Sequence, residues 1–509
     1  MVLWGYNALL PIAVIENASI AEVHEALGEN NVLIEASSGL AVPSDSYLLH
    51  LAGLRTELPN AHVTTYTHIP GKGIESVTDP AGMRTTFEYD HAGRLTCIRD
   101  NEGNKVQEHE YFLMADGDKR RHMSSRVYRS TDGTAFAEDV QWWDVFGRKQ
   151  QDISIAASGN GDDLVTAYGS DFMFHDDVKT WLPYPVQSTA GAFQTAAESV
   201  AASYHGNDLA YSLKNYEISS RDRVLSTALP GYAGEHETTF ETDVDTEFGT
   251  NGLVLMDKTT DADGRTVCTY KDHLGKTLGT SKGNDAPTYY KYDLYDRLVA
   301  VVGGGIVETD TLNTWRYSYD SLGRLASKGI PGSVREHYTY DEEDRLVSVL
   351  RDGVLKEMEY DEMGRLIKVW QTLPGGQRTI LEQHAYDSYP SGVTGANPKG
   401  LKTSSRMAEI LPNGTVGGYV RVYYSYDEKK RPVKIHTRYN DGSEMIEQMQ
   451  YTFAGEVESR NYIYICGSNE DRMEVSYEYD GRGRLRKEEA VLQGKGMQPQ
   501  AAIVGHGYD

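Results

Sequence analysis

The chain has 509 residues, enough for three or four ordinary domains or for one long repetitive body. Its 50 Lys and Arg against 75 Asp and Glu give a net charge of -25, which argues against nucleic acid and anionic lipid as partners. The three cysteines lie far apart without a CxxC, and no apolar run approaches about 18 residues, so no disulfide framework, zinc site or membrane span is predicted. The 35 Tyr against 10 Phe, with 50 Gly, favour strands and tight turns over helices.

Residues 11–58 are predicted to be mainly helical. Asn17 is placed to cap the stretch SIAEVHEALG, and Asp45 is placed to cap SYLLHLAGLRTELP, whose leucines recur near helical spacing from Leu48 to Leu58. Amphipathic helices of this kind favour packing in a core over forming a groove for a partner. The first residues lack the basic region and continuous apolar core of a signal peptide.

After this segment one phrase recurs along the chain, Tyr-Asp-x-x-Gly-Arg-Leu. YDHAGRL, YDSLGRL, YDEMGRL and YDGRGRL are full copies, and YDLYDRL, YDEEDRL and YDEKKRP are near copies. Consecutive starts are separated by 22, 27, 21 and 20 residues at Tyr270, Tyr292, Tyr319, Tyr340 and Tyr360. This spacing fits two short strands and two turns, so one repeat is predicted to be one β-hairpin.

Every position of the motif has a structural role, which favours turn scaffolding over catalysis. Tyr ends a strand with its ring buried and its hydroxyl at a polar partner. Asp accepts from backbone amides of the turn, Gly takes a positive φ, Arg reaches back towards the acid, and Leu opens the return strand. The predicted structural residues of the repeat turns are Tyr89, Asp90, Gly93, Arg94, Tyr292, Asp293, Arg297, Tyr319, Asp320, Gly323, Arg324, Tyr340, Asp341, Arg345, Tyr360, Asp361, Gly364, Arg365, Tyr426, Asp427, Tyr479, Asp480, Gly483 and Arg484.

No stretch of the chain carries an active-site motif. HExxH, GxSxG and GxxxxGK[ST] are absent. The hairpin signal fades between about residues 152 and 250, where residues 192–205 are a candidate short helix, but a hydrolase hidden there has no motif to support it. DADGR at Asp261 is a fragment of a calcium loop without its closing Glu, and it also matches the repeat turn in shortened form. We therefore predict no catalytic, cofactor-binding or metal-binding residues and no cofactor.

The recurring motif resembles the YD-repeat, or RHS-repeat, proteins, which include bacterial RHS polymorphic toxins, the C components of insecticidal toxin complexes, and teneurins. The resemblance implies a mainly β fold, in which YD-repeat β-hairpins form a spiralling sheet that is part of a hollow shell, with small helical or irregular insertions. The chain is accordingly predicted to have four regions. They are a pre-repeat segment with short helices at 1–70, the first YD-type hairpins at 71–150, an insertion or intermediate domain of unknown function at 151–255, and the repeat array at 256–509.

For function, the resemblance implies a non-enzymatic shell or scaffold segment of a secreted or cell-surface protein that encapsulates and delivers a C-terminal toxin or effector in interbacterial competition. The alternative is a surface adhesion or carbohydrate-binding module that uses the outside of the array. The implied partner is the protein's own C-terminal effector beyond residue 509, with secretion machinery and cell-surface glycans as further candidates. No nucleic acid and no membrane span are expected.

The chain departs from the toxin pattern in its C-terminal part. The RHS-associated core with its DPxG motifs is not found there, and the one DPAG, at Asp79, lies upstream in a turn before the first repeat. Self-cleavage is therefore not assigned to these residues. Tyr508 and Asp509 stand 29 residues after Tyr479, where the next copy is expected, so the array is predicted to be cut off in mid-repeat.

Overall fold

The computed structural model describes residues 1–28, 39, 41–112, 120–171, 173, 175, 178–187, 189–219, 221–234, 236–245, 248, 254–306, 313–411, 415–494 and 498–507. Tyr508 and Asp509, the expected start of a further copy, lie outside these residues. Within them lie 36 strands and three short helices, α1 at Ile20–Leu27, α2 at Asp45–Glu57 and α3 at Ala197–His205.

The strands up to the middle of the chain are β1 Val2–Gly5, β2 Leu10–Glu16, β3 His62–Ile69, β4 Gly73–Thr78, β5 Arg84–Tyr89, β6 Leu95–Arg99, β7 Lys105–Phe112, β8 Arg121–Tyr128, β9 Phe136–Trp143, β10 Lys149–Ser154, β11 Asp163–Gly169, β12 Lys179–Trp181, β13 Tyr184–Val186, β14 Tyr211–Tyr216, β15 Val224–Ala228 and β16 Glu237–Asp245. The remaining strands are β17 Val254–Thr260, β18 Thr266–Lys271, β19 Thr277–Lys282, β20 Thr288–Tyr292, β21 Leu298–Val302, β22 Thr314–Tyr319, β23 Leu325–Gly329, β24 Glu336–Tyr340, β25 Leu346–Arg351, β26 Val354–Tyr360, β27 Leu366–Thr372, β28 Arg378–Tyr386, β29 Lys402–Ile410, β30 Val416–Tyr426, β31 Pro432–Arg438, β32 Glu444–Tyr451, β33 Val457–Cys466, β34 Asn469–Tyr479, β35 Leu485–Gln493 and β36 Gln500–Gly505.

The N-terminal unit packs two helices on one end of the sheet. Val23 and Leu27 of α1 and Leu51 and Leu54 of α2 are buried against β1, β2 and β3. The prediction of a mainly helical segment is wrong at its start, because the Pro-Ile-Ala-Val-Ile run of β2 is rich in β-branched residues and pairs with β1 and β3.

Both predicted helix caps are also wrong, each displaced onto a neighbouring serine. Ser19 caps α1, and its backbone N–H donates to Glu22 while Glu22 N donates back to the Ser19 hydroxyl. Ser44 caps α2 by accepting from Tyr47 N. Serine with Glu three residues later forms a capping box, which satisfies two backbone donors and which Asn17 cannot supply.

The sheet is one antiparallel meander. Successive strands pair from β1 to β11 and from β14 to β36. Between these runs β11 forks, since its first residues pair with β13 while Tyr168 and Gly169 pair with β12, which leads on to β14. The region 151–255 thus contributes strands to the same sheet. Its helix α3 lies within the candidate segment 192–205 and packs on a core around Ile153, Val165 and Tyr184.

The YD hairpins share one register. In the hairpin of β22 and β23, Tyr319 lies opposite Leu325 and Ser318 lies opposite Ser327, so a bulge follows the Leu of the motif. The same shift occurs beside the motif Tyr of the other copies. The bulge increases the local twist of the strands, which is how a long sheet is made to curl.

Because strand direction alternates, the turns leave the sheet at two rims. All the YD turns leave at one rim, called here the YD rim. Turns such as Asp79–Met83, Asp100–Asn104 and Arg129–Ala135 leave at the other, called here the opposite rim. The two rims meet where the sheet has completed one turn of a spiral, because residues separated by 325 to 353 positions form hydrogen bonds.

The predicted fold is confirmed: YD hairpins form an open, spiralling sheet that is part of a hollow shell. Among the described residues the hydrophobic core is confined to three clusters, and none of them extends beyond Tyr289. From β22 onward the buried hydrophobic residues are isolated, at Val369, Val422, Met449 and Val475. That part of the sheet is a single layer without a packed centre. No helix in the described part of the chain is long and apolar enough to cross a membrane.

Candidate functional site: the YD clasp and the seam

Each YD turn is held by its aspartate. In the turn Asp320–Arg324, Asp320 Oδ1 accepts from the backbone N–H of Leu322 at 3.0 Å and of Arg324 at 2.8 Å. Asp320 Oδ2 accepts from Arg324 Nε at 2.8 Å. The backbone closes the loop as well, since Asp320 N donates to the Arg324 carbonyl and Gly323 N donates to the Asp320 carbonyl.

All seven copies of the motif make this aspartate–arginine contact. The Nε–Oδ2 distances are 2.6–2.8 Å in the turns of Asp90, Asp293, Asp320, Asp341, Asp361, Asp427 and Asp480. Asp144 and Arg148 of the weaker relative WDVFGRK form the same pair at 2.7 Å. The arginine therefore reaches back to the acid at every copy.

The turn keeps its left-handed residue even where the motif lacks glycine. Gly323 has φ 86°, and in the near copies Asp296, Asp344 and Lys430 have φ 62°, 63° and 63°. A side chain there costs about 1–2 kcal/mol. Each of the three side chains makes an ion pair outside its own turn: Asp296 with Lys276, Asp344 with Arg324, and Lys430 with Asp79.

The arginine also holds the next repeat. Arg324 Nη1 donates to the Asp341 carbonyl at 2.9 Å, and the Arg324 guanidinium lies 4.9 Å from the centre of the Tyr340 ring. Tyr340 Oη in turn donates to the Leu325 carbonyl at 3.0 Å. We call this set of contacts between consecutive copies the YD clasp. It joins the Tyr and Asp of one copy to the Arg and Leu of the copy before.

The clasp recurs along the array. Arginine stacks on the next tyrosine at 4.3–5.2 Å in the pairs Arg94–Tyr111, Arg297–Tyr319, Arg324–Tyr340, Arg345–Tyr360, Arg365–Tyr386 and Arg431–Tyr451. The tyrosine hydroxyl donates to the carbonyl of the first or second residue of the preceding return strand, at 2.7–3.1 Å, in Tyr89, Tyr292, Tyr319, Tyr340, Tyr360, Tyr386, Tyr426, Tyr451 and Tyr479.

The protonation states suit hydrogen bonding. Hydrogen bonds from Arg324 hold the pKa of Asp320 below its ordinary value of 3.8. Burial raises the pKa of the Tyr319 and Tyr360 phenols. Groups that transfer protons near neutral pH have pKa values moved towards neutrality, whereas both shifts here move away from it. The clasp thus keeps an ionised acceptor and a neutral donor at neutral pH.

Two clasp members were missed in the sequence because their turns lack the Gly-Arg ending. Asp387 directly follows Tyr386, and its carboxylate accepts from Gly400 N at 2.6 Å and from Arg365 at 2.6 Å. His62 Nε2 lies 3.0 Å from Asp387 Oδ1. Tyr386 lies 26 residues after Tyr360, so the repeat spacing alone could have found it. In the second turn, Asp171 pairs with His175 in place of arginine at 2.7 Å.

The DADGR candidate is an ordinary turn. Asp261 Oδ1 accepts from the backbone N–H groups of Asp263 and Arg265 at 3.0 and 2.8 Å, and the turn lies on the opposite rim. In the residues that the structure describes, no group of three or more His, Cys, Asp and Glu side chains is placed to hold a metal ion.

The second spiral turn meets the first along a line of contacts called here the seam. Arg482 Nη1 donates to the carbonyls of Glu138 at 2.9 Å and Ile155 at 3.1 Å, and Arg484 Nη1 donates to the Ala157 carbonyl at 2.6 Å. Arg129 of the first turn reaches the opposite way, to the Arg482 carbonyl at 2.6 Å and to Glu456.

Charge and apolar contact alternate along the seam. Lys430 of the YD rim pairs with Asp79 at 2.9 Å and Lys429 with Asp100 at 4.0 Å, whereas the pair of Arg129 and Glu456 has its base on the opposite rim, so both rims supply bases and acids. Between these pairs Phe453 lines a cavity of about 450 Å³ together with Met83, Val106 and Val127. A polar cavity of about 800 Å³, lined by His62, Asp387 and Lys399, lies where the N-terminal unit meets the array.

Two family models match parts of the chain. The RHS Repeat model matches residues 74–105, and a Domain of unknown function (DUF6443) matches residues 118–247. No curated protein matches the sequence.

Solved structures share the fold. The crystal structure of TcdB2-TccC3-Cdc42 aligns at 12% identity and a TM-score of 0.51 over 86% of this chain and 29% of that chain. The crystal structure of TcdB2-TccC3 without hypervariable C-terminal region aligns at 12% identity and a TM-score of 0.51 over 86% of this chain and 28% of that one. The chain spans less than a third of the length of these structures. The RHS Repeat match, the clasped copies of the same motif and this fold together show that the chain carries an array of RHS/YD repeats.

Proposed function

We propose that the chain is a non-enzymatic segment of a protein shell that encloses a polypeptide cargo, the protein's own C-terminal effector, and delivers it. The observation that carries this proposal is the single-layer spiral joined along a seam. A sheet without a packed centre leaves an interior, and the clasps and the seam hold its wall together. One structure with this fold is named for the removal of a hypervariable C-terminal region, which is the kind of cargo proposed.

The use of the tyrosines favours enclosure over the rival function of adhesion to carbohydrate. Rings such as Tyr340 and Tyr360 lie under the arginine of the preceding repeat, and their hydroxyls are bound to backbone carbonyls. Glycan stacking needs free aromatic faces, and that use competes with the clasp. We further assign the whole protein to the cell surface or the secreted fraction, with a role in interbacterial competition.

Protection of a reporter tests enclosure. A flexible segment with one site for a sequence-specific protease is joined after residue 509, and its cleavage is timed. The same fusion with Arg482→Glu and Lys430→Glu opens the seam, and the same segment on an unrelated soluble domain gives the unprotected rate. We expect the intact chain to slow cleavage about tenfold or more and the opened seam to restore it, because cleavage follows the population of open states. Equal rates in all three fusions would contradict enclosure.

A further inference from the structure

The turn that begins at Asp387 is longer than the motif turns. Asp387 N donates to the Leu401 carbonyl at 3.1 Å, in the place where a motif turn closes on its arginine. The additional residues fold back onto the sheet, where Ala396 N donates to the hydroxyl of Ser425 in β30 at 3.0 Å. Loops that a rigid scaffold holds in this way commonly carry binding residues.

The folded-back turn closes a small pocket over β30 and β31. The pocket has a volume of about 230 Å³, and residues 392–394 of the turn line it on one side. The sheet lines it with polar and basic side chains, from Tyr423, Ser425, Lys434, His436 and Arg438.

The YD rim beside this pocket is already covered. The two consecutive YD turns that flank the pocket both take part in the seam, since Asp387 lies beside His62 and Lys430 pairs with Asp79. The pocket thus opens on the face of the sheet and not at an uncovered rim.

Three arginines lie side by side next to the pocket, on the same face of the sheet. Arg406 of β29 is directly opposite Arg421 of β30, which is directly opposite Arg438 of β31, and we call these three the arginine ladder. Adjacent strands are about 4.8 Å apart, and like charges directly opposite each other are destabilising. Arg421 is exposed, and its side chain has no hydrogen bond or ion pair with the residues that the structure describes. A bound anion would relieve this repulsion.

Two tyrosines hold the outer arginines of the ladder. Tyr419, Arg421 and Tyr423 alternate along one face of β30. The Arg406 guanidinium lies 3.6 Å from the centre of the Tyr419 ring, and that of Arg438 lies 5.7 Å from the centre of the Tyr423 ring. Arg406 Nε is buried and has no hydrogen-bond partner among the described residues. A guanidinium held in this way presents a fork of donors that suits an oxyanion.

Bases are concentrated in these strands. β29, β30 and β31 contain five Lys and Arg and one acid, Glu409, although the whole chain has 75 acids against 50 bases. Glu409 lies on the other face of the sheet, because it stands three residues after Arg406 in β29. Glu444 of β32 pairs with Arg438 at 3.3 Å. The bases left without a carboxylate partner among the described residues are Arg406, Arg421 and Lys434.

We propose that the arginine ladder and the pocket form one binding site for a short ligand that carries two or more phosphate or sulfate groups. One group lies across the ladder at Arg421, between the guanidinium groups of Arg406 and Arg438. The next group enters the pocket at Lys434. A short phosphate chain and a sulfated oligosaccharide share this chemistry, because arginine binds such oxyanions through paired hydrogen bonds.

Spacing and charge restrict the ligand to this class. Acidic side chains on one face of an extended peptide recur about every 6.8 Å, twice the rise per residue, so they do not match arginines that lie one strand apart. A long polyanion such as nucleic acid would also meet the acidic surface of a chain with a net charge of -25. A short ligand avoids most of that repulsion, because charges more than about 8 Å away are screened at physiological ionic strength.

Calorimetric titration of the full chain tests the site. At constant ionic strength the ligands are inorganic tripolyphosphate and a trisulfated disaccharide, with inorganic phosphate and a glutamate tetrapeptide for comparison. Arg421→Gln removes the middle arginine of the ladder, and Lys434→Gln removes the base of the pocket. Lys356→Gln, which removes an exposed base from β26, is the matched control for net charge. Circular dichroism and thermal unfolding check that the three variants fold.

We expect at least one of the two oligo-anions to bind, and the tighter of them identifies the source of the ligand. Arg421→Gln should raise its dissociation constant at least about tenfold and Lys434→Gln about threefold or more, whereas Lys356→Gln should change it less than about twofold. Inorganic phosphate should bind at least about tenfold more weakly, because it fills one of two positions. Without ligand, Arg421→Gln should unfold at the temperature of the wild type or higher, because it removes repulsion within the ladder.

Several results would overturn the proposal. One is that neither oligo-anion binds, and another is that Arg421→Gln and Lys356→Gln weaken binding equally, since net charge alone would then explain the effect. Equal affinity for inorganic phosphate would contradict a site of two positions, and equal affinity for the glutamate tetrapeptide would contradict the class of ligand. A lower unfolding temperature of Arg421→Gln without ligand would show that Arg421 stabilises the fold and does not await an anion.

Discussion

Each motif aspartate satisfies several donors with one carboxylate. Asp320 accepts from two backbone N–H groups and from Arg324, and that arginine then holds the next repeat. Turn and clasp therefore depend on the same ionised group. Lys276, at the arginine position of its turn, shows what lysine retains: it lies 5.2 Å from the Tyr292 ring, but its Nζ is 3.9 Å from Asp272 Oδ2. Lys in place of Arg should therefore keep the contact with the ring and lose the hydrogen bond to the carboxylate, because an ammonium lacks the fixed fork of a guanidinium.

The dependence on ionised aspartate predicts acid sensitivity. Hydrogen bonds from Arg324 lower the folded pKa of Asp320 below 3.8, so its contribution to stability is complete above the unfolded value and is lost as pH falls through the folded one. Asp320→Asn should lower the urea midpoint by a constant amount above about pH 5, and the difference should shrink as the pH falls towards the lower pKa. A difference that stays constant into strong acid would show that the charge of Asp320 does not matter.

At the scale of the hairpin, the side chain of the residue with left-handed φ limits how closely another element can pack on the turn. Gly93 and Gly483 occupy the same motif position with φ 79° and 80°. A Cβ at Gly93 would meet nothing within 4 Å, whereas a Cβ at Gly483 would overlap the Arg129 guanidinium of the seam. The two glycines thus have the same conformation and different surroundings.

These two glycines form a matched pair for experiment. Alanine at either position should cost about 1–2 kcal/mol from the left-handed backbone. Gly483→Ala should in addition displace Arg129 and expose the turn Arg129–Ala135 to hydrogen exchange, and Gly93→Ala should leave that turn protected. If hydrogen exchange in the turn Arg129–Ala135 is the same in both variants, the position of Arg129 does not require the absence of a Cβ at Gly483.

At the scale of the molecule, the clasps between repeats and the contacts of the seam stabilise the chain independently of each other. Clasps join neighbours, so removing one affects two hairpins. Arg482 belongs to the seam alone, because its side chain takes no part in its own turn and donates to Glu138, Ile155 and Asp139 across the spiral. The spiral can therefore be loosened without loss of the hairpins.

Arg482→Ala should weaken the seam and leave the clasps between repeats intact. Hydrogen bonds to a charged group contribute about 1.5–3 kcal/mol each, so the seam should weaken substantially. Hydrogen exchange should rise at residues 129–157 and 480–484 and stay unchanged in the hairpins between Thr314 and Tyr360. The control is Leu322→Ala, which changes an exposed side chain at the same motif position in a turn away from the seam. Faster exchange throughout the array would mean that the seam also supports the repeats.

The sequence predicts the turn because the contacts that close it all lie between residues at most four positions apart. Asp320, Gly323 and Arg324 form one local hydrogen-bonded loop, so composition and spacing are enough. The seam could not be predicted, because Arg482 and Glu138 are far apart in the chain and Arg482 stands at a position that varies between copies. The helix caps failed for a smaller reason, since Ser19 and Asn17 are both good capping residues and only Ser19 has Glu22 three residues later.

The clasp has a direction that bears on how the chain acquires its structure. Arg324 finds its carbonyl 17 residues later and Arg345 finds its own 16 residues later, whereas the seam joins residues at least 325 apart. Local contacts form quickly and distant ones slowly. A chain leaving the ribosome can therefore secure each hairpin as soon as the following one emerges, while the seam waits for more than 300 further residues. During that interval the sheet is not yet closed along the seam, so a later segment of the chain can still reach its inner face.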